Sequence, residues 1–405
     1  MAKTKLSTIE EAVKRLKRGE FVIVVDDPSR ENEGDLVLAA EFATPEKIAF
    51  AIRYTGGVVC LALSNDIADR LDLPAMVTRN TSKRSTHFTV SIEASEGVDT
   101  GISAADRAKT IRTAIDPKST PEDLHRPGHV FPLRAQDGGV LWRSGHTEAS
   151  VDLCRIAGLK EGAVISELMH DNGTMMRMPE IQTFGKKHHM AVISVSDLIA
   201  YRRKHESQIL LAAKSMLETK EGEWDIFVYK DLVHKKEHVV LRMGGTIDPR
   251  QPLLVRMHSE CLTGDVFGSR HCDCGEQLRL SMQRIAKEGK GLIVYLRQEG
   301  RGIGLVNKIR AYELQHLGLD TVDANRALGL PDDLREYGIG AQILKDLRVG
   351  KIKLLTNNPK KVVGLKGHGL EIVAQLPIEI VPNGTRQQKY LKTKKDRMKH
   401  RLRKV

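Results

Sequence analysis

Three of the five cysteines in this 405-residue chain lie in one short segment, SECLTGDVFGSRHCDCGEQ. Structural zinc sites usually have four protein ligands, whereas catalytic zinc sites have three and leave the fourth position for water or substrate. Cys261, Cys272 and Cys274 have polar neighbours, which is uncommon for thiols that only fill a core. The segment therefore predicts a catalytic zinc site. A distant histidine as fourth ligand, or incidental buried thiols, are the alternatives.

A second set of polar residues lies in the first half of the chain. In SRENEGDL, Glu31, Glu33 and Asp35 alternate, so they would project from one face if this segment were extended. In LWRSGHTEASVDL, His146 lies close to Arg143. Carboxylates that repel one another, together with one imidazole, favour Mg²⁺ or Mn²⁺ over Zn²⁺. Spacing alone leaves open that these are two solvated polar loops.

The elements that must position these residues are strands and helices in alternation. FVIVV and VVCLAL predict strands, and TPEKIAFAIRY between them predicts a helix with Thr44 as N-cap and Pro45 at its first position. In the second half, GLIVYL and IKLLT predict strands, and LVNKIRAYELQHLG predicts a helix that ends at Gly318. The first helix of the chain is predicted to begin with a capping box of Ser7 and Glu10.

The predicted fold class is α/β, with mixed α and β elements, in two unrelated catalytic domains in tandem, because the halves show no internal repeat. The expected domains are residues 1–200 and 201–385, with the junction in YRRKHESQ. A basic C-terminal tail follows at residues 386–405, with ten basic residues and one acidic residue. Such a composition is typical of a solvated, poorly ordered end.

Composition limits the possible classes of protein. Hydrophobic residues make up 40% of the chain, no apolar run is long enough to span a membrane, and the N-terminal segment lacks the apolar core of a signal peptide. Five cysteines with a metal-type cluster do not make a disulfide framework, so we expect a cytoplasmic protein. The net charge of +12 allows a zinc-containing nucleic-acid-binding protein with a basic tail. An aromatic content of only 4% and the lack of an RNP-type motif argue against it.

The first half resembles the 3,4-dihydroxy-2-butanone 4-phosphate synthase family across roughly residues 5–200. RENEGDL, FTVSIEA, TGISAADRAKTI, HRPGHVFPLRA and GGVLWRSGHTEASVDL stand in the family's order. The resemblance implies conversion of ribulose 5-phosphate into a four-carbon dihydroxybutanone phosphate and formate, with Mg²⁺ or Mn²⁺ held by Glu31 and His146. It implies essential roles for His129 and Glu167. The implied sugar-phosphate contacts are Arg30, Glu31, Asp35, Arg143, Ser144, Gly145, His146, Thr147 and Glu167.

The second half resembles the GTP cyclohydrolase II family across roughly residues 205–385. RMHSECLTGDVFGSRHCDCGEQL, YLRQEGRGIGL, DTVDANRALGLPDDLREYGIGAQIL and LLTNNPKKVVGL carry the resemblance. It implies hydrolytic opening of the guanine imidazole ring, loss of C8 as formate and release of pyrophosphate, with one zinc ion per site on Cys261, Cys272 and Cys274. The implied GTP contacts are Arg256, Met257, His258, Ser259, Glu260, Gln277, Glu299, Gly300, Arg301, Thr321, Thr356 and Lys361.

The same resemblance implies three further catalytic residues in the second half. Asp333 matches a proton acceptor, Arg335 the proposed nucleophile toward the α-phosphate, and Tyr312 a catalytic tyrosine. A guanidinium stays protonated at neutral pH, so Arg335 could equally act by clamping the phosphate. His271 stands where the family has arginine.

Together the two resemblances imply a bifunctional enzyme that makes two riboflavin precursors from ribulose 5-phosphate and GTP, the latter accompanied by Mg²⁺. We expect a homodimer with no specific nucleic-acid partner and no membrane partner.

Overall fold

A computed structural model describes residues 6–331, 335, 337–366 and 369–403. The chain divides into two compact units, Met1–Glu206 and Ser207–Val405. Each unit has its own seven-stranded sheet with helices around it, so the predicted mixed α/β fold class is confirmed.

The first unit alternates short strands with helices. Its strands are β1 (Val22–Val25), β2 (Gly34–Ala39), β3 (Cys60–Leu63), β4 (Ile92–Ala94), β5 (Leu124–Arg134), β6 (Gly162–Glu167) and β7 (Ala191–Ser194). Its helices are α1 (Ile9–Lys17), α2 (Pro45–Thr55), α3 (Asn65–Arg70), α4 (Ala104–Ile115), α5 (His146–Ile156), α6 (Met178–Lys187) and α7 (Val195–His205), with 3₁₀ turns at Ala40–Phe42, Pro121–Asp123 and Gly139–Leu141.

The strands of the first unit form a mixed sheet in the order β4-β5-β3-β6-β2-β1-β7. Successive side chains of a strand point to opposite faces of the sheet, so they pack in different hydrophobic clusters. Val22 and Cys60 pack in a cluster with residues of α1 and α5, whereas Leu61 packs with residues of α2 and α4. Helices therefore cover both faces of the sheet, and the polar residues of this unit gather where strands end.

The helix starts test two capping predictions. Thr44 caps α2 and Pro45 occupies its first turn, which confirms that prediction. The capping box of Ser7 and Glu10 was wrong, because Thr8 is the N-cap of α1 and its Oγ1 accepts a hydrogen bond from the backbone N of Glu11 at 3.2 Å. Serine and threonine are both common N-cap residues, so the sequence alone does not distinguish Ser7 from the adjacent Thr8.

The second unit also contains seven strands. They are β8 (Ile209–Thr219), β9 (Gly222–Asp231), β10 (Glu237–Met243), β11 (Pro252–Ser259), β12 (Gly291–Leu296), β13 (Lys351–Leu355) and β14 (Glu371–Leu376). The helices are α8 (Leu262–Asp265), α9 (Cys274–Glu288), α10 (Gly304–His316), α11 (Thr321–Ala327), α12 (Gly338–Asp346), α13 (Pro359–Lys366) and α14 (Thr385–Asp396), with a 3₁₀ turn at Glu299–Gly302.

The sheet of the second unit has the order β14-β13-β11-β12-β10-β9-β8. The strands from β14 to β12 are parallel, and those from β12 to β8 are antiparallel. Because parallel strands end at the same edge, the segments after β11, β12 and β13 lie together. In open α/β sheets this edge is where ligands bind.

The C-terminal residues differ from the solvated tail that their composition predicts. They form α14, in which Gln387 and Leu391 are buried. Basic side chains of this segment form ion pairs with three acidic residues that are distant in sequence, Asp273, Asp320 and Asp323. Composition could not reveal them.

Two candidate active sites

The three predicted zinc ligands converge in the second unit. Cys261 follows β11, Cys272 lies in the loop before α9, and Cys274 begins α9. Their sulfur atoms lie within 4.8 Å of one another. The Cys261 and Cys272 sulfurs are 3.6 Å apart, well beyond the ~2.05 Å of a disulfide bond. Among the residues that the structure describes, no histidine or carboxylate joins this cluster, so the donor set fits a three-thiolate metal site with one open position.

A lysine and a glutamate complete the surroundings of the thiols. Lys308 of α10 lies with its Nζ 3.2 Å from the Cys261 sulfur and 2.7 Å from Glu299 Oε1. Hydrogen bonds from Cys272 and Cys274, together with the charge of Lys308, lower the pKa of the Cys261 thiol, although burial opposes this. Lys308 was not predicted as a site residue. Its position one helical turn before Tyr312 was the available signal.

Asp265 organises the segment around the first cysteine. Its carboxylate accepts hydrogen bonds from the backbone N of Cys261 at 2.9 Å and from the Tyr295 hydroxyl at 2.9 Å, and it lies 3.1 Å from His258 Nε2. Burial lowers the pKa of His258 below its usual value. The neutral ring therefore donates from Nε2 to Asp265, which leaves Nδ1 as an acceptor.

A cavity adjoins the cysteine cluster. It is lined by most of the predicted GTP contacts and by two of the predicted catalytic residues. The predicted residues along its walls are Arg256, His258, Ser259, Glu260, Gln277, Glu299, Gly300, Arg301, Tyr312, Thr321, Arg335, Thr356 and Lys361. Met257 does not line the cavity because it is buried in the hydrophobic core. Asp333 lies outside the described residues.

Several polar atoms of the cavity residues are buried without a hydrogen-bond partner in the described part of the chain. They are Arg256 Nε, His258 Nδ1, Ser259 Oγ and Arg301 NH1. An unpaired buried polar group costs free energy, and native proteins keep such groups mainly where a ligand or water satisfies them. These atoms fit a polar ligand that accepts and donates several hydrogen bonds.

The first unit contains a second possible metal site. Ligand atoms of Asp26, Glu31 and His146 lie within 4.8 Å of one another. Asp26 follows β1 and accepts hydrogen bonds from the backbone N of Glu31 at 3.0 Å and of Glu33 at 2.9 Å. Two carboxylates and one imidazole fit a hard divalent cation. Sequence reasoning missed Asp26, because it precedes the motif and is brought to the site by the turn between β1 and β2.

Asp35 and Glu167 lie beside this group. β2 and β6 are antiparallel, and their register pairs the two residues directly. Burial raises the pKa of Asp35 to about 7, although His146 opposes the shift. Glu167 accepts a hydrogen bond from the backbone N of Val58 at 3.0 Å. Glu31 and Glu33 lie in the segment before β2, so the extended conformation considered for this stretch does not include them. Both residues nevertheless line the same cavity as Asp35.

The remaining predicted sugar-phosphate residues surround this cavity. Arg30, Arg143, His146 and Thr147 line it, whereas Ser144 is exposed nearby. Gly145 is the N-cap of α5, so His146 and Thr147 begin the helix whose free backbone N–H groups favour anions. The predicted essential His129 does not line the cavity, because its Nδ1 is 2.6 Å from Glu93 Oε2 on the neighbouring strand β4.

Both units match known protein families. Residues 10–201 match the family model of 3,4-dihydroxy-2-butanone 4-phosphate synthase, and residues 210–377 match that of GTP cyclohydrolase II. The chain is 53% identical over 402 residues to the riboflavin biosynthesis protein RibBA of Salinispora arenicola, which covers 98% of this chain and 95% of that protein. It is 54% identical over 399 residues to RibBA of Aquifex aeolicus, with 98% of each chain covered. The chain belongs to the RibBA family.

One solved structure is similar to this chain over most of its length. The crystal structure of RibBX from A. baumannii, described as a two-domain 3,4-dihydroxy-2-butanone 4-phosphate synthase, is 34% identical to this chain. It matches with a TM-score of 0.65 over 92% of this chain and 100% of that protein.

Membership of the RibBA family confirms the predicted bifunctional enzyme of riboflavin biosynthesis, with a lyase domain and a hydrolase domain. The alternative of a nucleic-acid-binding protein finds no support in these matches. Across the described residues, no helix combines the length and the apolar character needed to cross a membrane.

Proposed function

We propose that the first unit converts ribulose 5-phosphate into 3,4-dihydroxy-2-butanone 4-phosphate and formate. We propose that the second unit hydrolyses GTP to 2,5-diamino-6-(5-phosphoribosylamino)pyrimidin-4-one, formate and pyrophosphate. The observation that carries the second activity is the group of three cysteine sulfurs beside a cavity with unpaired polar atoms.

In the first unit, Glu31 and His146, joined by Asp26, would hold Mg²⁺ or Mn²⁺. The bound ion would supply Lewis-acid stabilisation of negative charge on the sugar oxygens. Asp35 has a pKa of about 7 because it is buried, so it can both accept and donate a proton near neutral pH. Glu167 would bind the sugar hydroxyls, and the N-terminus of α5 would bind the phosphate together with Arg30 and Arg143.

In the second unit, Cys261, Cys272 and Cys274 would hold one zinc ion. The bound zinc would supply Lewis-acid activation of a water molecule for attack on the guanine ring. Burial raises the pKa of Tyr312 to about 12, so its hydroxyl stays protonated and acts as a hydrogen-bond donor. Arg335 lines the same cavity and would clamp the α-phosphate. Asp333 remains the predicted proton acceptor.

Formate release, measured separately with each substrate, tests the proposal. The purified chain should release formate from ribulose 5-phosphate with added Mg²⁺ or Mn²⁺, and formate plus pyrophosphate from GTP when it contains one zinc ion. A zinc-loaded, folded protein that leaves GTP intact would refute GTP hydrolysis by the second unit, and the proposed activity of the first unit would still stand.

We also propose a homodimer that works in the cytoplasm. Strand β8 lies at the edge of its sheet and exposes the apolar side chains of Leu210, Leu211, Met216 and Leu217, which supports an interface on this strand. The cysteine cluster needs reduced thiols, which supports a reducing compartment. Sedimentation analysis giving the mass of one chain at micromolar concentration would refute the dimer.

A further inference from the structure

The C-terminal segment, defined here as residues 385–403, packs against three parts of the cyclohydrolase unit. Gln387 Nε2 donates hydrogen bonds to the Cys272 carbonyl at 2.9 Å and to Glu276 Oε2 at 2.7 Å. Arg397 NH1 lies 2.5 Å from Asp320 Oδ2, at the start of α11. The backbone N of Arg401 donates to the Asn357 carbonyl at 2.9 Å, after β13. The match to the GTP cyclohydrolase II model ends at residue 377, so it does not include this segment.

Two of the residues that anchor the segment, Cys272 and Asn357, line the cavity, and the segment itself forms part of the cavity wall. Tyr390, Lys394, Met398 and His400 line the same cavity as the cysteine cluster. A tail that served only solubility would not place four side chains in a cavity beside a metal-type site.

Lys394 forms a buried ion pair with Asp273 in this wall of the cavity. Its Nζ lies 2.5 Å from Asp273 Oδ1, and the two side chains are 12% and 1% exposed. Asp273 stands between two of the cysteines and caps α9. A buried carboxylate without a cationic partner is strongly disfavoured, so the ion pair with Lys394 holds the Asp273 side chain in position.

Asp273 in turn orients two of the proposed GTP contacts, Gln277 and Arg256, through hydrogen bonds. Its Oδ2 accepts a hydrogen bond from Gln277 Nε2 at 2.6 Å, and Gln277 Oε1 accepts one from Arg256 NH2 at 2.6 Å. A carboxylate can only accept and a guanidinium can only donate, so together they fix the orientation of the Gln277 amide. Arg256 NH1 is held by the Leu355 carbonyl at 3.0 Å, which leaves its buried Nε without a partner among the described residues.

We propose that Lys394 of the C-terminal segment is a positioning residue for GTP recognition, acting through Asp273 on Gln277 and Arg256. This inference rests on the proposed GTP hydrolysis in the second unit. Without the ion pair, the Asp273 carboxylate would no longer be held against Gln277, and the Gln277 amide could turn its NH₂ group toward Arg256. The recognition groups would then be misaligned while the cysteine cluster stayed intact.

The test compares Lys394→Met with Lys392→Met, a matched change on an exposed residue of the same helix. For Lys394→Met we expect the KM for GTP to rise by roughly tenfold or more, with a smaller change in kcat and one zinc ion still bound. Lys394→Arg should recover most of the affinity, because arginine can pair with Asp273. Lys392→Met should leave both constants unchanged.

A double-mutant cycle keeps the proposal testable if Lys394→Met is poorly stable. In a Gln277→Ala background, Lys394→Arg and Lys394→Met should give nearly the same KM for GTP, because the hydrogen bonds that connect Asp273 to Arg256 through Gln277 are already lost. Wild-type KM in Lys394→Met would overturn the proposal, and so would zinc loss, or effects that simply add in the cycle. Failure of the wild-type chain to hydrolyse GTP would instead refute the proposed function.

Discussion

At the residue scale, the cysteine cluster depends on the cation beside it. Three thiolates within 4.8 Å of one another would repel strongly in a buried site. Hydrogen bonds within the cluster lower the pKa of the Cys261 thiol, whereas the neighbouring Cys261 raises the pKa of the Cys272 and Cys274 thiols. Burial alone would lower the pKa of Lys308, but the charge of Cys261 and the hydrogen bond with Glu299 raise it overall. Lys308 therefore remains protonated at neutral pH and offsets the charge of the Cys261 thiolate, whereas Cys272 and Cys274 would lose their protons on binding a divalent metal.

Replacing one cysteine should separate a catalytic zinc from a structural one. We expect Cys272→Ser to bind no zinc and to lose ring opening of GTP, because a mostly protonated serine hydroxyl is a poor zinc ligand compared with a thiolate. The unit should remain folded, because its sheet and core form without the metal ligands. Metal analysis and circular dichroism measure the two properties. Unfolding of the second unit in this variant would indicate a structural zinc.

A carboxylate that the sequence did not reveal gives a second test at this scale. Asp26→Asn keeps the size of the side chain but removes a charge from the group with Glu31 and His146. We expect affinity for Mg²⁺ or Mn²⁺ at the synthase site to fall by roughly 10–100-fold. Metal titration of formate release from ribulose 5-phosphate measures this change, with the exposed Glu96→Gln as control. An unchanged metal dependence would remove Asp26 from the site.

At the scale of elements, the short helix α8 brings the sulfurs together because it contains a glycine. A Cβ on Gly264 would lie 2.8 Å from the Cys272 sulfur and 3.1 Å from the Cys261 sulfur, both closer than carbon and sulfur normally approach. The backbone of α8 thus packs directly against the ligand atoms.

Adding that one methyl group should disturb the metal without changing a ligand. For Gly264→Ala we expect zinc affinity to fall on the order of tenfold or more, because zinc ligands tolerate only small displacements. A chelator competition measures the affinity. Val266→Ala, an exposed position just after α8, should bind zinc like the wild type. Equal affinities in both variants would show that the loop can move freely.

The elements also show how far sequence reasoning extends. The strand β12 covers the predicted GLIVYL, and α2 begins as predicted from Thr44 and Pro45, because these signals are local. The helix α14 was not predicted, because its stability depends on partners such as Asp273 that only the fold brings near. The convergence of Cys261, Cys272 and Cys274 could be predicted from spacing and residue type. Sequence reasoning missed Lys308 and Asp26, because a helix and a turn bring them to their sites.

At the scale of the whole molecule, each candidate site is built within one unit. Asp26, Glu31, Asp35 and His146 belong to the first unit, with its own sheet and core. The cysteine cluster and its cavity belong entirely to the second unit. Because every described residue that lines one of these two cavities belongs to a single unit, we expect the chemistry at one site to need no groups from the other.

Reciprocal variants should therefore separate the two activities within one chain. We expect His146→Ala to abolish formate release from ribulose 5-phosphate, because it removes the imidazole from the metal group. GTP turnover should stay within about twofold of the wild type, since the two cavities share no lining residue among those described and substitutions without shared partners act nearly additively. Cys272→Ser should show the opposite pattern. Both assays are run on the same preparation, with circular dichroism to establish that each variant is folded. A folded His146→Ala protein that loses GTP turnover as well would show that the two units share a catalytic requirement.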